Sequence, residues 1–283
     1  MMIPRIFWGI WALVPVAAIT YHFGPGQSAY VLDKAARLQN QASATQTEAQ
    51  HAQDAAYATH LVAIEARRLA FIEPTTANQR NASQATATEE SMYAVAAKHW
   101  KQTAERFQDV LATLGDASPN DAREMRWAKA RASVRAGEIW TGIDDLESLI
   151  GQLDDHSAND QPLERAAREE LATAYYYGAR LLRLSGMPPQ EWRVESGKAR
   201  QHFRYLAENS GGQSAQNFQR NLELVLNLEQ TTLSDLQGKP LPKESPRVGN
   251  TSNRKGNRPG KSPRPPRQDG RGAGGAEEIL DGW

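Results

Sequence analysis

The sequence predicts an all-α fold: amphipathic helices in series, behind an N-terminal membrane-spanning helix and ahead of a disordered tail. Three observations carry that reading. No window alternates β-branched and polar residues between turn signals, as a half-buried strand requires. Apolar residues instead recur at helical spacing, in segments that stop at Gly115, Gly137 and Gly186. Charge is also unevenly placed. Formal net charge is zero, yet residues 239–283 hold ten Lys/Arg against five Asp/Glu, a net of +5 that leaves −5 on the rest.

The first element is apolar. Residues 6–23, IFWGIWALVPVAAITYHF, follow Arg5, and no formal charge comes before Asp33. Roughly 20 apolar residues cross a bilayer as a helix. Pro15 is tolerated better in such a helix than in a soluble one, and Trp8, Trp11, Tyr21 and Phe23 suit the interfacial belts. The competing reading is a cleaved signal peptide. No good small-x-small cleavage site follows the run, so an uncleaved anchor over residues 1–24 is the expectation. Arg5 and the amino terminus, set against Lys34 and Arg37, place the body on the non-cytoplasmic side of a single-pass cell-membrane protein.

Residues 25–73 read as a helical stalk rich in Ala and Gln. Within it, Gln41–Ala55 offers no large apolar side chain on any face. Residues 74–90, opening PTTANQRNASQ, read as a linker, with Thr86 and Glu89 spaced as a capping box that starts the next helix. From residue 91 to 236 the chain becomes regular. One helix runs to Leu114. Ser118 and Pro119 open the next as N-cap and first-turn proline, and it ends before Gly137. Further helices are expected over about 139–153, 163–185, 189–210 and 215–236.

Three of these helices share a pattern of a small residue, a large apolar one four on and another apolar three further: Thr103-Phe107-Val110, Gly142-Leu146-Leu149 and Ala199-Phe203-Leu206. The small residue lets a partner helix approach closely. Helix, glycine turn, helix, with this pattern on the second helix, resembles the tetratricopeptide repeat in degenerate form. The spacings of 39 and 57 residues between Phe107, Leu146 and Phe203 exceed the regular repeat of about 34. A generic helical bundle is the competing architecture.

A narrower resemblance rests on Asn221-Leu222-Glu223 in the last helix, the TLSDLQGKPLPKE run from Thr232 to Glu244, and Gly282-Trp283. With the anchor and the degenerate repeats, these residues resemble the tetratricopeptide membrane proteins of bacterial aerotolerance (Bat) gene clusters. Such proteins accompany von Willebrand factor A proteins and a MoxR-type ATPase. The resemblance implies a non-catalytic scaffold of the cell envelope, with von Willebrand factor A membrane proteins as partners.

Motifs for chemistry are lacking. There is no cysteine, which removes disulfides, thiolate metal sites and a cysteine nucleophile together. No two of the six histidines stand three or four residues apart, so no helical zinc motif exists. Asp154-Asp155-His156 is the one local cluster with metal-ligand character, and it reads as a solvated turn. Glu169 and Glu170 read as ordinary solvated charge, and Gly137, Gly186, Gly211 and Gly212 fall where helices end rather than in a phosphate-binding loop. No enzyme activity, cofactor or metal is expected.

The residues singled out for partner binding are Trp127, Tyr175, Tyr176 and Trp283. Tyr175-Tyr176-Tyr177 points three ways around a helix, so at most two rings are expected in the core, leaving the rest for a groove. The rival function is a helical ligand-binding or catalytic domain, which a deep polar pocket would favour over an open groove. Residues 237–283 form the tail. Its stretch to Arg271 lacks apolar periodicity and holds seven of the chain's 15 prolines, so it is expected to be disordered. That stretch is basic, but no aromatic is interleaved to stack on bases, and nucleic acid is not an expected partner. AEEILDGW, residues 276–283, reverses the charge. It presents Ile279, Leu280 and Trp283 as a short docking motif.

Overall fold

A computed structural model describes residues 13–16, 21, 25–154 and 161–232, and among them there is no strand. Among the described residues from Pro25 on, seven helices follow in series: α1 (Pro25–Ile72), α2 (Thr76–Leu114), α3 (Pro119–Ala136), α4 (Ile139–Asp154), α5 (Gln161–Leu184), α6 (Pro189–Glu208) and α7 (Gly212–Gln230). Each packs chiefly on the next, and α3 also touches α5. The apolar run 6–23, apart from five positions, and the tail after Thr232 lie outside the described residues. Among the described residues, no helix is long and apolar enough to cross a membrane.

The first two helices correct the sequence reading. Residues 74–90 are not a linker. α1 stops at Ile72, and after Pro74 the side chain of Thr75 accepts a 3.2 Å hydrogen bond from the Asn78 N–H as the N-cap of α2. The Asn78 amide donates to the Glu73 carbonyl at 2.9 Å, which closes the turn. Thr86 and Glu89, expected to open a helix, lie well inside one. The Ala, Gln and Asn of this stretch are compatible with helix, and packing along α1 selects it over the polar composition.

That packing uses a seam of alanines. Ala35, Ala42, Ala49, Ala56 and Ala63 recur every seven residues, and none is more than 3% exposed. A seven-residue repeat keeps one stripe of a helix against a neighbour, and methyl side chains let the two backbones come close. The pairing is antiparallel. Ala35 and Ala42 cluster with Phe107, Val110 and Leu114 at one end, and His60 Nδ1 meets Glu89 Oε1 at 2.5 Å toward the other. With 48 residues, α1 is about 72 Å long. The core clusters that join the hairpin to α3 reach only to Ala49 and Trp100. Beyond them, among the described residues, the last 20 or so residues of α1, about 30 Å, pack chiefly on α2.

In the body, the small-large-apolar triads are buried where the sequence placed them. Phe107, Leu146, Leu149, Ala199, Phe203 and Leu206 all belong to core clusters. Gly142 shows why its position must be small: a Cβ there would lie 2.4 Å from Val134 Cγ2 and 3.0 Å from the Ala130 carbonyl oxygen. Ser118 and Pro119 open α3 as expected, and Gly137 ends it with φ near 92°, a left-handed turn that favours glycine. Lys129–Asp145 at 3.0 Å and Arg126–Gln152 at 2.7 Å hold α3 against α4. The last helix ends earlier than expected, at Gln230, where Thr231 is already extended.

Candidate functional site

α5 is the central helix of the body, with α3, α4 and α6 packed around it, and every residue from Glu170 to Ala179 is buried. All three tyrosines therefore enter the core, one more than expected. Tyr175 and Tyr176 are each 1% exposed and offer no ring face to a partner, which overturns their assignment to a groove. Trp127, on α3, is half-buried against the core, with the Arg131 guanidinium 5.6 Å from its ring centroid. Trp283 lies outside the described residues.

Polar and charged groups cluster around Tyr175. Its ring stacks on His202 of α6, with centroids 5.9 Å apart and planes 10° from parallel, and Lys198 Nζ lies 4.7 Å from the ring centroid. Its hydroxyl donates to Glu147 of α4. Burial, that hydrogen bond and the charges of Glu147, Glu195 and Asp144 raise the phenol's pKa, so it stays protonated and acts as a donor. Burial first, then Arg168 and Lys198, lower the His202 pKa, while Glu147 opposes them. Burial raises the pKa of Tyr176, against the pull of Arg180. The cluster ties three helices together.

A second polar set joins the hairpin to the body. Trp100 of α2 donates its indole N–H to the side-chain carbonyl of Gln53 on α1. Arg135 of α3 lies 5.7 Å from the Trp100 ring centroid and 2.5 Å from Glu170 Oε1 of α5. Arg131 Nε approaches the other Glu170 oxygen at 3.4 Å. Gln53, Trp100, Arg131, Arg135 and Glu170 are all buried, so this polar thread crosses four helices inside the protein. Glu170 is no solvated charge: two guanidiniums share its carboxylate. The signal lay in ARASVRA, residues 130–136, where the i, i+4 pair Arg131 and Arg135 sits among small residues of a buried face.

Open surface of another kind lies on the distal hairpin. Arg67, Ala82, Ser83, Thr86, Ala87 and Glu90 line a shallow groove of about 410 Å³. At the tip, Leu69, Phe71 and Ile72 are 43%, 85% and 60% exposed. Among the described residues, no group of three or more His, Cys, Asp or Glu stands together as metal ligands would. Asp155 and His156 of the one sequence candidate lie outside the described residues. No family model, curated protein or solved structure matches the chain.

Proposed function

We propose that the chain is a non-catalytic, membrane-anchored scaffold of the bacterial cell envelope that binds other proteins, its helices stacked in degenerate tetratricopeptide fashion. The observation that carries this reading is the distal half of the α1–α2 hairpin, where bulky apolar side chains stand in solvent with no body helix beside them. Exposed apolar patches on a folded protein mark interaction sites more often than scattered single residues do. Helix-by-helix adjacency, the left-handed glycine turn at Gly137 and the buried triads support repeat-like stacking. Von Willebrand factor A membrane proteins are the partner class that the family resemblance implies. Contact would then be made at Phe71 and Ile72, with the half-buried Trp127 in a lesser role.

Two measurements test the reading. Deletion of residues 1–24 is expected to release the chain from membranes, and a deleted form still in the membrane pellet after a high-salt wash sinks the single-anchor reading. Affinity isolation from detergent-solubilised membranes is expected to recover a von Willebrand factor A protein with the full chain and to lose it with Phe71→Ser/Ile72→Ser. Equal recovery from both forms removes the hairpin tip as the contact.

A further inference from the structure

The C-terminal end of α5 carries an apolar stripe that no described element covers. It begins where Gly178 leaves room for a neighbouring ring: a Cβ at Gly178 would sit 3.0 Å from Trp140 Cη2, so the indole rests against the helix backbone. Leu181 follows one turn on, then Leu184, then Met187 just past the helix end. The four side chains are 43%, 48%, 40% and 38% exposed. Residues three apart on a helix are surface neighbours, so these groups form one strip rather than scattered exposures.

The edge of this helix end is basic, and the chain leaves the fold there. Arg183 of α5 and Arg193 of α6 lie 4.8 Å and 5.2 Å from the centroid of the Trp192 ring. Arg183 also donates to the carbonyl oxygen of Thr231, so the last described residues are held against the end of α5. The segment that follows them is therefore tethered beside the stripe.

We propose that residues 277–283 fold back onto this stripe. Ile279, Leu280 and Trp283 would cover Trp140, Leu181 and Leu184, while Glu277, Glu278 and Asp281 face Arg183 and Arg193. Both halves of the match are unusual in this chain. The segment is acidic and apolar where the preceding 33 residues of tail are basic and proline-rich, and the stripe is apolar beside guanidiniums. Reach is not limiting. The 44 residues from 233 to 276 span up to about 145 Å when extended. A tether of this kind holds its cargo at an effective concentration near the millimolar range, so modest intrinsic affinity suffices. The fold-back covers a surface distinct from the hairpin tip and does not depend on the scaffold reading.

The absence of cysteine gives a direct test. Spin labels on Ser185→Cys and Gly282→Cys, in the full chain in detergent, report the separation of stripe and segment by electron double resonance. The proposal expects a short, narrow distance distribution that survives dilution of the doubly labelled chain with unlabelled protein. Trp283→Ser/Ile279→Ser, which leaves the body's sequence intact, is expected to convert it to a broad, long distribution. Leu181→Asp/Leu184→Asp is expected to do the same with an unchanged helical spectrum, because both side chains are already partly exposed. A broad distribution in the parent chain overturns the proposal. A short distance that disappears on dilution also overturns it and assigns the stripe to a second copy of the chain.

Discussion

Phe203 and Arg204 are consecutive on α6, yet one is fully buried and the other faces solvent. Phe203→Ala is expected to cost about 3–5 kcal/mol, the loss of a buried aromatic plus the cavity it leaves, whereas Arg204→Ala is expected to change little. Denaturant midpoints of the two variants decide, and similar values would show that α6 presents a different face. This contrast was legible because apolar periodicity fixes which side of a helix is buried. The three tyrosines of α5 were not legible in the same way. Periodicity cannot say how many neighbours a helix has, and α5 has them on three sides. His202 adds a pH-dependent consequence. It stacks on Tyr175, its burial and the cations Arg168 and Lys198 hold its pKa below the ordinary value, and Glu147 of α4 pulls the other way. The unfolded chain therefore binds the proton more readily, and stability is full above the ordinary histidine pKa of about 6.5 and falls as pH drops below it. The thermal midpoint of the parent protein is expected to fall between pH 7.5 and pH 5.5, and His202→Gln to show a smaller fall. An equal fall in both proteins would exclude His202 as its source.

The hairpin is where sequence reasoning and structure part at the level of elements. Helix ends at Leu114 and Ala136 were readable, because Gly115 and Gly137 adopt positive φ and other residues rarely do. The alanine seam was hidden for the opposite reason. Amphipathicity is usually sought in large apolar residues, and Ala42, Ala49 and Ala56 are too small to register, although their seven-residue spacing is unbroken. The seam explains how Gln41–Ala55 is both polar in composition and firmly packed. It also makes the hairpin sensitive to side-chain volume. Ala56→Leu, at a position with no exposure, is expected to destabilise the hairpin by about 1–3 kcal/mol, as overpacking does. Ala58→Leu, two residues on and exposed, is expected to be close to neutral. Slowed amide exchange should be lost along α1 in the first variant and kept in the second, and equal protection in both would show that the heptad alanines do not form the contact. Register needs more than alanine, since a uniform seam matches itself after a seven-residue slip. The His60–Glu89 and Arg67–Glu89 pairs, at 2.5 Å and 3.5 Å, supply that specificity.

At the scale of the molecule, the question is what makes hairpin and body one object. Apolar contact between them is modest: Met125, Ala128, Ala132 and Ala136 of α3 cluster with Leu38 and alanines of α1 and with larger side chains of α2. The polar thread runs through the same junction, from Gln53 through Trp100 and Arg135 to Glu170. Its parts are far apart in sequence, so no local pattern could have assembled them, and only the i, i+4 spacing of Arg131 and Arg135 hinted at it. Two guanidiniums and one carboxylate out of water are costly unless they stay together, since each loses hydration that only its partners replace. Removing the shared carboxylate should therefore cost far more than the pair is worth. Glu170→Gln preserves shape and leaves both arginines without their counter-charge, and a loss of about 3–5 kcal/mol is expected. Replacing all three, as Arg131→Met/Arg135→Met/Glu170→Leu, removes the buried charges along with their pairing, and most of that loss should return. Denaturation followed by tryptophan emission and by helicity reads both the size of the effect and its reach. If Glu170→Gln separates the hairpin from the body, the two signals, coincident in the parent, should move apart, and the triple replacement should bring them together again. Coincident transitions at an unchanged midpoint in Glu170→Gln would mean that α3 holds the hairpin through its alanines and Met125 alone.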